Sequence, residues 1–118
     1  MLRTYCKSKL DRIKVTKVQL EYDGSIELDL DLIDAAKIDP WEQVQVVNLE
    51  NGNRLWTYVI PAERGSGIVS LKGPAARSAM VDDRIIVISY FMENPDELFE
   101  YKPITVSVDG NNKITNIK

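Results

Sequence analysis

The stretch Leu20-Glu21-Tyr22-Asp23-Gly24-Ser25-Ile26-Glu27-Leu28-Asp29-Leu30-Asp31 decides the architecture, because it carries the end of one strand, a break and the whole of the next strand. Ile26, Leu28 and Leu30 alternate with Glu27, Asp29 and Asp31, a two-residue period that turns one apolar face inward. Upstream, Ile13, Val15, Lys17 and Gln19 alternate with Lys14, Thr16, Val18 and Leu20, with enough β-branching to predict a single strand. Gly24-Ser25 therefore falls at a junction between two strands.

Further along, Asp31 can cap a short helix over Leu32 to Lys37, which must stop before Pro40. Val44 and Val46 begin a strand that reaches Asn51-Gly52, a hairpin signal, and Arg54 to Ile60 returns. Pro74 suits the first position of a short helix through Met80, where its missing N–H costs nothing. Arg84 to Phe91 is the most hydrophobic run and predicts a central strand buried on both faces. A polar turn at 93–97 and a hairpin around Asp109-Gly110-Asn111-Asn112 complete the chain. Many short strands with two brief helices predict a mainly β protein, a small barrel without repeat or linker.

Composition narrows the chemistry. The 118 residues make one domain of ordinary size. They contain no histidine and one cysteine, Cys6, which excludes a Ser-His-Asp triad, a Cys-His pair or a histidine zinc site within the chain. The lone cysteine fits a reducing compartment as a small buried hydrophobe. With neither a leader pattern nor an apolar run near the roughly 18 residues of a membrane span, the expectation is a soluble, cytoplasmic protein with no membrane partner. A net charge of −3, from 15 basic and 18 acidic residues, gives no overall pull toward nucleic acid. The basic set Lys7, Lys9, Arg12, Lys14 and Lys17 reads as a solvated strand face, since no aromatic platform is interleaved with it.

Gly24-Ser25 is also where a backbone could cut itself. Serine must reach the preceding carbonyl carbon, and glycine there removes the Cβ that would crowd the attack. The resulting ester, after β-elimination and hydrolysis, leaves a pyruvoyl ketone at the new N-terminus. That ketone can condense with a substrate amine and take up the electrons of a breaking C–C bond. Taken alone, the dipeptide is as well a turn. Beside it, however, stand Asn51-Gly52-Asn53-Arg54-Leu55-Trp56-Thr57-Tyr58, which offers a guanidinium, a hydroxyl and a phenol in one strand, and Lys72-Gly73-Pro74-Ala75-Ala76-Arg77.

Lys7-Ser8-Lys9, Tyr22-Asp23-Gly24-Ser25-Ile26, Asn51-Gly52, Thr57-Tyr58 and Gly73-Pro74-Ala75-Ala76 occur in the order found in pyruvoyl-dependent aspartate 1-decarboxylases, and from about Met1 to Tyr90 the chain resembles that family. The resemblance implies a six-stranded double-psi β-barrel that self-cleaves into residues 1–24 and 25–118, and a homotetramer with active sites between neighbouring subunits. It implies decarboxylation of L-aspartate to β-alanine for pantothenate and coenzyme A synthesis. The cofactor would be the pyruvoyl group made from Ser25, with no metal and no pyridoxal phosphate. Gly24 supplies the cleaved carbonyl, Ser25 forms the Schiff base with substrate, and Tyr58 donates a proton to carbon. Thr57, Arg54, Lys9, Gly73, Pro74 and Ala75 contact substrate, with Arg54 pairing with a carboxylate and Thr57 also steadying the oxyanion of the cut. Tyr22 either orients the junction or is core.

Three positions depart from the family's pattern. Asp11 stands where many members carry histidine near the substrate, Lys72 replaces an asparagine close to the processing site, and Asp82-Asp83 replaces Gly-Asp. The first two leave open a different acidic amino acid, such as glutamate, as substrate. An uncleaved barrel acting as a binding module is the alternative of another class.

Overall fold

The computed structural model describes residues 1–98 and 100–118. Its strands are β1 (Arg3–Lys14), β2 (Lys17–Gln19), β3 (Ser25–Asp29), β4 (Gln43–Asn48), β5 (Arg54–Ala62), β6 (Val69–Lys72), β7 (Arg84–Glu93), β8 (Ile104–Val108) and β9 (Ile114–Ile117). One helix, α1 (Leu30–Ala35), follows β3, and 3-10 turns occupy Gly73–Ser78 and Pro95–Glu97. The strands join in the order β2-β6-β3-β5-β4-β7-β1-β8-β9. The chain is thus mainly β with short helices, as its periodicity implies.

This sheet is rolled. Only Val15 and Thr16 link β1 to β2, and two residues reach about 7 Å, yet the two strands stand far apart in the sheet order. The β2 edge must therefore curl back beside β1. The linker residues are bonded accordingly: Val15 N–H donates to the Asp83 carbonyl (2.9 Å), Thr16 N–H to the Val69 carbonyl (2.8 Å), and Asp82 N–H to the Val15 carbonyl (2.8 Å). The 13–20 segment is consequently two strands rather than one, broken after a register shift between Leu10 and Ile13 where Arg12 adopts φ 51°.

Inside the roll lie Leu10, Ile13, Ile26, Leu28, Leu32, Ile33, Val44, Val59, Val69, Leu71, Ile85 and Val87, each wholly buried. Burial of such aliphatic side chains, worth about 1.5–3 kcal/mol each, is what holds the strands together. In β7 only alternate residues are buried: Ile85, Val87 and Ser89 face the core, while Ile86, Ile88 and Tyr90 are half-buried, so the strand is central but not enclosed on both faces. Cys6 is likewise only half-buried, and partial desolvation raises its thiol pKa.

Asp29, not Asp31, caps α1: its carboxylate accepts the Asp31 N–H at 2.8 Å. The same carboxylate accepts Gly65 N–H (3.0 Å) and Gly67 N–H (2.8 Å). Burial pushes this carboxyl up, but the three N–H donors outweigh burial and leave its pKa below the ordinary aspartate value. Among the described residues, no helix is long and apolar enough to cross a membrane.

Candidate active site

β3 begins at Ser25, and its neighbours define the surroundings of the Gly24–Ser25 bond. On one side β6 runs antiparallel, with Ser25 opposite Lys72 and Glu27 opposite Ser70. On the other side β5 runs parallel, with Ile26 beside Val59. Continued back two residues, that register sets Gly24 level with Thr57. Ser25 is 1% exposed, and its hydroxyl has no hydrogen-bond partner. An unpaired buried hydroxyl costs about 1–3 kcal/mol, which marks this serine as a site of strain rather than of packing.

Above the bond lies the 3-10 turn Gly73–Ser78, whose backbone presses on the junction. Gly73 has φ +67°, and a Cβ built on it would fall 2.7 Å from the Tyr22 carbonyl oxygen and 2.9 Å from both Cα and N of Gly24. Glycine at 73 is thus dictated by close approach of two backbones. Gly24 itself is less constrained at rest, since a Cβ there would meet only Pro74 Cδ at 3.8 Å, an ordinary contact. Its need for glycine belongs to the attack, not to the resting packing.

A cleft of about 390 Å³ opens beside the junction, lined by Gly24, Leu55, Trp56, Thr57, Tyr58, Pro74, Ala75 and Ser78. Five residues singled out by sequence therefore meet there: Gly24, Thr57, Tyr58, Pro74 and Ala75. Tyr58 reaches it while stacked on Trp41, ring centroids 5.4 Å apart. Gly73 underlies the cleft, and Ser25 sits behind Gly24. The turn is a 3-10 helix ending at Ser78, shorter than the helix expected through Met80.

Other expected residues lie elsewhere in the single chain. Arg54 starts β5 and points its guanidinium along the sheet, where Nη1 donates to Gln45 Oε1 at 2.9 Å, the same oxygen that accepts the Tyr90 hydroxyl at 2.7 Å. Lys9 is exposed on β1, paired with Ile88 and Thr105. Asp11, also on β1, pairs with Arg12 at 3.1 Å. None of the three lines the cleft.

The side of the junction away from the core holds a cluster that sequence reading missed. Core-facing Ile26, Leu28, Val69 and Leu71 leave Ser25, Glu27, Ser70 and Lys72 on the opposite face of β3 and β6, and β2 adds Gln19, opposite Lys72. Lys72, 6% exposed, directs its ammonium to Gln19 Oε1 (3.2 Å) and Glu27 Oε1 (3.5 Å), 4.5 Å from the centre of the Tyr22 ring.

Across residues 1–115 the chain matches the family model described as aspartate decarboxylase. It belongs to the aspartate decarboxylase family. The chain is 48% identical to the aspartate 1-decarboxylase of Carboxydothermus hydrogenoformans over 118 residues, all of this chain and 93% of that protein. It is 50% identical to the Acetivibrio thermocellus aspartate 1-decarboxylase, covering 100% of this chain and 94% of that one. The Salinibacter ruber aspartate 1-decarboxylase is 49% identical over 112 residues, 95% of this chain and 77% of its own length. An aspartate decarboxylase of this family meets the expectations drawn from Gly24-Ser25 and the Thr57-Tyr58 strand.

Proposed function

We propose that this chain is a self-processing, pyruvoyl-dependent lyase that converts L-aspartate to β-alanine and carbon dioxide, in the cytoplasm, for pantothenate synthesis. One observation above all supports the reading: in a member of the aspartate decarboxylase family, the Ser25 hydroxyl is buried without a partner while the preceding Gly24 forms the wall of a cleft.

Maturation begins when Ser25 Oγ adds to the Gly24 carbonyl carbon. The hydroxyl proton passes to the Ser25 nitrogen, the C–N bond breaks, and an ester joins Gly24 to the Ser25 side chain. Thr57, level with Gly24 and on the same cleft, donates its hydroxyl to the developing oxyanion. Loss of the Ser25 Cα proton as the Cβ–Oγ bond breaks frees residues 1–24 with a carboxylate terminus and leaves dehydroalanine. Water adds, ammonia departs, and the chain from residue 25 begins with a ketone.

Ser25 fits that group, lying between β5 and β6 with its side chain out of solvent. When formed, the pyruvoyl ketone supplies the electron sink for loss of the α-carboxylate. Arg54 holds a substrate carboxylate through paired N–H donors and so fixes which bond breaks. Tyr58 delivers the proton to carbon, and Gly73, Pro74 and Ala75 form the wall against which the substrate rests. Arg54 and Lys9 stand off the cleft of their own chain, which supports sites shared between copies in a homotetramer. Exposed Trp41 (70%), Trp56 (55%) and Met92 (64%) offer apolar surface for that assembly.

Intact-mass spectrometry with a carbon dioxide release assay tests the proposal. The expected result is two species, residues 1–24 and residues 25–118 bearing a hydrazine-reactive ketone, with release from aspartate exceeding that from glutamate. Ser25→Ala should give a folded, single-chain, inactive protein. An unbroken wild-type chain with no ketone would leave only a binding module.

A further inference from the structure

Lys72 stands directly opposite Ser25 on the neighbouring strand, a position at which antiparallel partners share a face with Cβ atoms about 4.5–5.5 Å apart. Two rows cross this face, Gln19–Lys72–Ser25 and Lys17–Ser70–Glu27, as the β2–β6 and β6–β3 registers require. Two members, Ser25 and Ser70, keep buried hydroxyls with no partner. A lysine this buried needs compensation for its charge. It receives Glu27 at 3.5 Å, Gln19 at 3.2 Å and the face of Tyr22 at 4.5 Å.

Tyr22 matters because of where its backbone goes. Its carbonyl oxygen lies in the narrow space against Gly73, which also touches Cα and N of Gly24. Ring and carbonyl are thus held at two points, one by the Lys72 ammonium and the other by the 3-10 turn. The ring is 52% exposed, so packing alone does not fix it.

Resting on the self-cleavage reading above, we propose that Lys72, anchored by Glu27 and Gln19, is a positioning residue for the cut: its ammonium clamps the Tyr22 ring and so holds the Tyr22–Gly24 segment in register for attack by Ser25. Lys72 is no base for the serine, because its ammonium lies beyond hydrogen-bond reach of the Ser25 hydroxyl and is engaged by Glu27. Glu27 and Lys72 act as one unit. The attraction of a partly desolvated ammonium for an aromatic face corresponds to a rate effect of about three- to thirtyfold if it is lost before the transition state.

The test is the rate at which freshly produced full chain converts to residues 1–24 and 25–118, followed by intact mass, with a thermal melt on each variant. Tyr22→Phe keeps the ring and is expected to cleave within twofold of wild type. Tyr22→Leu and Lys72→Met are each expected to slow cleavage by about three- to thirtyfold, the double variant being no slower than the slower single one. Glu27→Gln should slow cleavage in the same direction, and Lys72→Arg should restore most of the rate. Because Tyr22 is half-exposed, the Leu variant reads the clamp even if Lys72→Met fails to fold. Wild-type speed in Tyr22→Leu, or equal slowing by Tyr22→Phe and Tyr22→Leu, overturns the inference while leaving self-processing intact. A wild-type chain that never cuts overturns both.

Discussion

Placing a methyl group on residue 73 probes the contact that binds the 3-10 turn to the scissile segment. In Gly73→Ala the new Cβ must sit at φ +67°, a left-handed conformation that costs an L-residue about 1–2 kcal/mol. It also meets three backbone atoms, the Tyr22 oxygen at 2.7 Å and Gly24 Cα and N at 2.9 Å, none of which can rotate aside. Moving backbone to relieve such overlap costs about 1–3 kcal/mol, so the whole penalty is about 2–5 kcal/mol. Against a typical folding stability of about 5–15 kcal/mol that is a large loss. Urea unfolding of Ser25→Ala and Ser25→Ala/Gly73→Ala, both uncut, measures it without interference from cleavage. In the Ser25 background the displaced Tyr22–Gly24 segment should also cut more slowly, read by denaturing electrophoresis over time. A stability change under about 0.5 kcal/mol together with wild-type cleavage would refute the argument, since it would mean the two backbones do not press on each other.

Three further perturbations separate the cut, the turnover and the scaffold. Arg54→Ala should raise KM for aspartate and lower turnover while the cut proceeds; a chain left uncut would make its bond to Gln45 a structural one. Tyr58→Phe keeps the stack on Trp41 but removes the proton donor, so kcat should fall by about 10²–10⁴ with maturation unaffected, as steady-state kinetics on fully cut protein would register. Asp29→Asn turns an amide NH₂ toward a backbone N–H and should cost about 1–3 kcal/mol. Because the folded Asp29 pKa lies below the ordinary value of about 3.9, its stabilisation is present above that value and disappears as pH falls through the lower folded one. Urea midpoints from pH 7 to 3 should therefore fall less steeply in the asparagine variant.

Local patterns were legible and distant pairings were not. The alternation of Ile26, Leu28 and Leu30 announces β3, and the Asn51-Gly52 and Asp109–Asn112 turns announce two hairpins, because each signal is contained within a few residues. The helix start came out two residues late, since Asp29 owes its capping role to Gly65 and Gly67 as well as to Asp31, and loop partners more than thirty residues away leave no mark on a local pattern. Likewise the run from Ile13 to Leu20 reads as one strand until Val15 and Thr16 give their backbone bonds to Asp83 and Val69. Of the site, the Gly24 and Thr57-Tyr58 grouping was readable through the family resemblance. The Lys72–Glu27–Gln19 cluster was not, because it depends on β2 and β3 flanking β6.

The short link between β1 and β2 bears on what happens after scission. Everything before residue 25 includes β1, registered against β7 along most of its length and against β8 on its other edge, and β2, zipped to β6. The severed peptide is therefore retained as an integral stave of the roll, and the mature protein is a heterodimer in all but appearance. Its unfolding releases two molecules rather than one, so reassembly obeys mass action and slows on dilution, whereas the precursor refolds independently of concentration. Scission thus works as a ratchet: the fold is learned once, as a single polymer, and afterwards is kept only as long as it is never lost.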